Sequence, residues 1–530
     1  MRRYFGAVAT VGAVLAIGVA PAFAQKAGGI LRVYHRDNPP SASIHEEATN
    51  STNIPFMNVF NNLVLFDQSK PINSLETIVP DLATSWSWSD DRKDLTFKLR
   101  EGVKWHDGQP FTAADVKCTW DMIQEKGKAK LRKNPRQDWY HNLKEITTNG
   151  DHEVTFHLGR PQPSFLALLA SGYSPVYPCH VPPAQMRTKP IGTGPFKFVD
   201  FKQNEFIKLA KNPDYWDKGK PYLDGVEFTI VRSRSTRVLA FVAGDFDITY
   251  PSDVTIPLLK DVRNQAPNAV CEVVPTNVSR NLIVNRDKPP FDDPKIRKAM
   301  LLTIDRQAFI DILSEGQADM GASMLPPPEG VWGMPKEMLE TIPGYGRDVA
   351  KNREAARKLM QEAGYGPDKR LPIKVSTRNI EIYRDPAVIL IDHLKEIYID
   401  GELELVETPL WHAKVARGDY VVGMNLTGIG VDDPDVNFYE NYACESERNY
   451  TKYCNKDLEK KFDEQSSEFD IEKRRALVWE IDKTLQEDGA RPIIYHERAA
   501  TCLQPYVKNM TIMANSSYNG FRWENVWLDK

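Results

Sequence analysis

The sequence predicts an α/β protein of more than one domain, on three observations. Its 530 residues exceed what one compact core serves, so two to four domains are expected. Short stretches with period-two alternation are interleaved with capped helical segments. No motif recurs at a spacing of 20–50 residues, which excludes a solenoid or a propeller. The strands and helices follow no regular β-α-β rhythm, which points to α/β lobes carrying insertions.

The N-terminus has Arg2 and Arg3, an apolar run of about 14 residues that is too short to span a bilayer comfortably, and Ala22-Phe23-Ala24. That is the pattern of a secretory signal peptide cleaved after Ala24. No later segment is apolar enough to span, so a soluble exported protein is expected. Leu95, Phe97 and Leu99 alternate along a strand that ends at the turn His106-Asp107-Gly108. Thr112 and Asp115 resemble an N-cap and its N3 acid, opening a helix through 113–123. Val154, Phe156 and Leu158 alternate again. GPFKFVDF and VEFTIV are further strands, flanking the turn-rich NPDYWDKGKPYLDG.

Asp293-Pro294 opens the next helix, with proline at its first position. Ala355, Ala356, Leu359, Met360 and Ala363 share a helical face that ends at Gly364. Asp385-Pro386 reads as a cap and first residue of a helix with Val388, Ile391 and Leu394 inward. Asp470 caps a helix running to Gly489, with Leu477, Val478, Ile481 and Leu485 inward.

The chain is 41% hydrophobic and 26% charged, with a formal net charge of −4. Loss of residues 1–24 removes two arginines and no acid, so the mature protein is more acidic still. With no basic stripe, a nucleic-acid partner is not expected. Gly192-Thr193-Gly194 lacks the third glycine of a dinucleotide fingerprint. Phosphate-loop, serine-esterase and zinc-protease motifs are absent. The ten histidines are scattered, and His152 and His157 fall on opposite faces of one strand, so no metal site is predicted. His35 and His412 read as surface residues that could lie near a cleft. Six cysteines permit 15 pairings. Cys444 and Cys454 form the most local pair, and no C-x-x-C suggests zinc or a redox motif.

Several blocks resemble one family. Residues 80–116 (PDLATSWSWSDDRKDLTFKLREGVKWHDGQPFTAADV), 191–228, 288–310, 356–366 and 455–482 are similar, in order, to the family 5 extracellular solute-binding proteins of ABC importers, the peptide- and nickel-binding group. The resemblance implies a two-lobed periplasmic-binding-protein fold with an inserted subdomain and a central ligand cleft. Lobe I would comprise 25–60, 188–276 and 498–530, the inserted subdomain 61–187, and lobe II 277–497. Cys271 and Cys502 would lie on the two segments that cross between lobes, and Cys118 with Cys179 in the inserted subdomain, which suggests both pairings.

The implied role is periplasmic capture of a small solute, foremost a peptide, by a monomer that delivers it to an ABC permease, without cofactor or covalent chemistry. A non-peptide solute carrying a carboxylate is the alternative. Rivals from other classes are a secreted hydrolase using Asp432, Asp433 or Asp435, and a sensory role. Relatives hold the ligand carboxylate with an arginine in the region matched by Arg378. Arg384, beside the expected helix start, is a second candidate anion site. Relatives also carry an aspartate that pairs with the ligand ammonium. In GIGVDDPD (428–435), alignment on Asp433-Pro434 puts Gly430 at that place, and Asp432 substitutes only if the loop shifts. The loop lacks the residue order of a calcium site, and a solvated turn whose acids cap the next segment is the plainer reading. Trp411, Asn425 and Tyr34 complete the expected ligand set, with Trp332 and Trp523 as further stacking candidates.

Overall fold

The computed structural model describes residues 25–530. The expected signal peptide lies outside the described residues. Among the described residues, no helix is long and apolar enough to cross a membrane.

Three larger sheets organise the chain. In the first, Ile30–His35 runs parallel to Gly225–Ile230, which continues antiparallel to Phe206–Lys211 and then Phe196–Lys202. Val226 and Phe228 are fully buried, the alternation that a sheet with one face on a core requires. The second sheet orders Ala83–Trp88, Asp94–Leu99, Glu153–Leu158 and Leu143–Thr148 as antiparallel neighbours. Leu95, Phe97, Val154 and Phe156 fill its inner face. The helix Ala113–Ile123 covers it, opened by the predicted capping box of Thr112 and Asp115.

The third sheet orders Ile399–Val406, Leu371–Arg378, Val422–Gly428, Val270–Val284 and Ile493–Leu503. Helices Pro294–Thr303, Arg306–Ser314, Val349–Glu362 and Glu381–Lys395 supply Met300, Phe309, Met360, Leu390 and Leu394 to its core. Asp293 and Asp470 cap helices as the sequence predicts. On the Asp470 helix Leu477 is only half-buried, and Arg474 and Asp482 turn inward instead. The helix expected to start at Asp385 begins at Glu381, with Pro386 inside it. Ile382 and Tyr383 are buried, so packing holds a turn upstream of the proline at the cost of one backbone hydrogen bond.

Val270–Val284 and Ile493–Leu503 pair antiparallel, and the ribbon reaches toward the first sheet, where Leu503 bridges Ile248. Their register slips between Pro275 and Ser279, a bulge that bends the ribbon. Within it Asn277 takes a left-handed φ of 51°, and its side-chain amide donates to the carbonyl of Asn515 at 2.9 Å. The disulfides pair Cys118 with Cys179, Cys271 with Cys502, and Cys444 with Cys454. Cys271 and Cys502 are direct cross-strand partners on the ribbon. Because that bridge closes a loop of 231 residues, replacing both cysteines by serine should cost roughly 2–5 kcal/mol. Equilibrium urea denaturation checks this; an unchanged midpoint would contradict it.

Candidate ligand cleft between the lobes

Where the lobes meet, the ribbon bulge, the ends of two strands and the N-terminal segment after His35 enclose a cavity of about 40 Å³. On this measure a water needs about 10–15 Å³, so the cavity has room for a few waters. Arg36, Asn50, Ser252, Thr276, Arg378, Trp411, His412, Asn425, Arg448, Glu497 and Ser517 supply its polar lining.

Arg378 is buried and fully engaged. Nη2 donates to Asp37 Oδ2 at 2.7 Å, Nε to Thr408 Oγ1 at 3.0 Å, and Nη1 to the Tyr383 hydroxyl at 2.7 Å. Asp37 also accepts from Ser51 Oγ and Thr408 Oγ1, each at 2.5 Å. Asp37 follows the first strand and Arg378 ends a strand of the third sheet, so the pair ties the first sheet to the third. Burial alone would raise the Asp37 carboxyl, but Arg378, His35 and Arg36 together hold it below the ordinary carboxylate range.

The other lining charges are unevenly matched. Glu497 accepts from both terminal nitrogens of Arg280, at 3.0 and 2.6 Å. Arg448 Nε lies 2.8 Å from Glu440 Oε1. Arg36 stacks 4.7 Å above the Tyr250 ring and is 7% exposed. Its nearest carboxylate oxygen, Asp253 Oδ1, is 4.0 Å away and already accepts from Arg237 at 3.0 Å. Several buried lining atoms lack a protein partner: Arg36 Nε, Asn50 Oδ1, Thr276 Oγ1, Trp411 Nε1, His412 Nε2 and Ser517 Oγ. Buried polar groups left unpaired are costly, and this concentration at one place suits a polar guest.

Of the residues singled out from sequence, Arg378, Trp411 and Asn425 line the cavity. Arg384 instead pairs with Asp385 on the partly exposed side of its helix. Tyr34 is buried beneath the cleft, edge-on to Phe246 at 5.6 Å. Gly430 and Asp432 lie outside the cavity lining, and a Cβ on Gly430 would stand 2.8 Å from the Trp139 ring. Trp332 and Trp523 are packed elsewhere. His35 and His412 are not surface residues: His35 is buried, its Nε2 3.0 Å from the Ser51 carbonyl, and His412 lines the cavity.

Two acids of GIGVDDPD, Asp433 and Asp435, are buried, and Asp432 is half-buried. Asp433 caps the helix Pro434–Tyr442 and pairs with Arg474 at 2.9 and 2.7 Å. Asp435 accepts from Gln162, Ser164, Gln465 and Ser466, which ties the loop to the inserted segment. Asp432 accepts only from the Val331 amide, at 3.2 Å, and its Oδ1 has no partner. Arg36, Asp37, Asn50, Thr276 and Ser517 escaped sequence reasoning. The one local hint was Arg36-Asp37 standing between an apolar strand and Asn38-Pro39-Pro40.

The family model of the bacterial extracellular solute-binding proteins, family 5, matches residues 77–449. The chain belongs to that family. A probable di/tripeptide-binding protein 5 of Pseudomonas aeruginosa is 27% identical to this binding protein over 464 residues, covering 81% of the chain and 83% of the relative. The periplasmic binding protein DppA of Helicobacter pylori, solved with the peptide STSA, superposes with a TM-score of 0.82 at 23% identity, covering 95% and 99%. AgaA from A. tumefaciens R10, solved with agropinic acid, gives 0.81 at 23% identity, also covering 95% and 99%. The binding protein thus has the two-lobed fold of these structures.

Burial pushes the Asp432 carboxyl up to about 7. A folded state that binds this proton more tightly than the unfolded chain loses stability as pH rises from about 4 to about 7. Asp432→Asn should flatten that part of the stability–pH profile and raise the melting temperature at pH 8, with no gain at pH 4. Melting curves across pH check this; parallel profiles for the two proteins would contradict it.

Proposed function

We propose that this protein captures a small peptide-like solute between its two lobes in the periplasm and delivers it to an ABC permease. The observation that carries the reading is the closed interlobe cavity whose lining groups lack protein partners, in a chain of the solute-binding family. Closure about the bulged ribbon sequesters the solute, and the closed form presents both lobes together to the membrane partner. Relatives named as di/tripeptide-binding and dipeptide-binding proteins support the ligand class.

A second reading is a non-peptide carboxylate solute. It is favoured by Gly430, where Trp139 leaves no space for an ammonium-binding side chain, and the agropinic acid complex is an example of such a ligand on the same fold. The solute is bound and released unchanged. Two of the carboxylates that would serve a hydrolase are committed, Asp433 to Arg474 and the helix cap and Asp435 to the amide and hydroxyl donors around it, and Asp432 lies outside the cavity lining.

Thermal-shift screening over peptides, organic acids and sugars tests this, since a ligand specific to the folded state raises the melting temperature by mass action. At 100 times Kd the stabilisation is about 2.7 kcal/mol. Small peptides or carboxylates should shift the transition and be recovered intact, one per protein. Recovery of cleavage products, or shifts from sugars alone, would overturn the reading.

A further inference from the structure

We infer that the cleft selects solutes that present a carboxylate to Arg36 and carry no charged amine. The inference rests on the proposed capture function and specifies its ligand.

Three guanidiniums line the cavity: Arg36, Arg378 and Arg448. Glu497 is the single carboxylate among the lining residues. Its two oxygens are taken by Arg280, so it has no strong claim on a ligand ammonium. Asp37 stands behind the wall, with Oδ2 accepting from Arg378 and Thr408 and Oδ1 from Ser51. Asp37 therefore occupies Arg378 as a ligand carboxylate would, and the guanidinium that the sequence points to is neutralised from within the chain.

Arg36 is what remains. It is 7% exposed and lines the cavity. Among the described residues no hydrogen bond satisfies its side chain, and its Nε is buried without a partner. Two carboxylates lie near enough to act on it, Asp37 and Asp253, but Asp37 is bonded to Arg378, Thr408 and Ser51 and Asp253 is bidentately held by Arg237 at 2.6 and 3.0 Å. A desolvated guanidinium without a hydrogen-bonded anion suits a planar carboxylate, which it grips through two parallel bonds. The neutral lining groups Asn50, Thr276, Trp411 and Ser517 offer donors and acceptors for amides or hydroxyls along the rest of the solute.

The field at the far side has the same sign. Burial keeps the His412 imidazole neutral, and Arg378, Arg448, Lys133 and Arg136 add to that effect. An ammonium brought into this enclosure would lose water and gain no free carboxylate, which the closed cavity punishes.

Isothermal titration of the full mature protein with three matched probes decides the matter. Alanyl-alanine has both charges, N-acetyl-alanyl-alanine only the carboxylate, and alanyl-alanine amide only the amine. N-acetyl-alanyl-alanine should bind at least tenfold tighter than alanyl-alanine, with no detectable binding of the amide. Arg36→Ala should weaken N-acetyl-alanyl-alanine at least a hundredfold, and Arg36→Lys less than Arg36→Ala. If Arg36→Ala does not fold by circular dichroism, Arg36→Gln takes its place. Tight binding of alanyl-alanine that acetylation abolishes would overturn the inference while leaving the capture function standing. So would unchanged affinity in a folded Arg36 variant. Failure of all three probes would overturn the peptide-like capture itself, and the inference with it.

Discussion

The guanidinium of Arg378 and the carboxylate of Asp37 lie 341 residues apart in sequence and 2.7 Å apart in the fold. Both are buried, and the pair is supported by neighbouring hydroxyls: Ser51 and Thr408 donate to the acid, Thr408 and Tyr383 accept from the base. Such a pair need not add net stability over apolar packing, yet losing one partner strands the other and costs about 3–5 kcal/mol. The closed arrangement of the lobes is therefore coupled to this contact. So is the character of the cleft, because the pair removes Arg378's charge from the ligand's reach.

The ribbon formed by Val270–Val284 and Ile493–Leu503 bends at its bulge while remaining part of the third sheet. At its bulge the ladder is interrupted, and Thr276, Val278 and Glu497 turn into the cavity. Below the bulge Cys271 and Cys502 lock the strands in register, so bending is confined to the segment that carries ligand-facing residues. Residues 139–164 brace the neighbouring helices from outside the cavity lining. Trp139 donates to Glu440 at 2.7 Å, and Arg160 reaches Asp463 at 2.7 Å. The acids of the 428–435 loop belong to this same junction. Their density reflects the arginine and amide donors that bury them, not a ligand.

Features set by local chemistry were legible in the sequence. The Thr112 box, the Asp293 and Asp470 caps and the alternating strands at 94–99 and 153–158 depend on neighbours within a few residues. The remote disulfides were reached through resemblance, because spacing alone leaves them undecided. The site was legible only in part. Trp411 and Asn425 line the cavity, but the partner of Arg378 could not be read, since Asp37 meets it only through the fold. The same long-range dependence hid the unpaired state of Arg36, buried His35, and turned His412 to the cavity, though both histidines read as surface residues. Where the helix preceded Asp385, tertiary burial of Ile382 and Tyr383 outweighed the local proline signal.

A double-mutant cycle on Asp37 and Arg378 tests the central claim most directly. Asp37→Ala, Arg378→Ala and the double variant would be unfolded in urea without ligand. Each single change should lose roughly 3–5 kcal/mol. The double variant should lose about as much as either alone, a coupling of at least ~2 kcal/mol. Losses that add to within about 0.5 kcal/mol would show that the two side chains act independently, and that closure does not depend on their pairing.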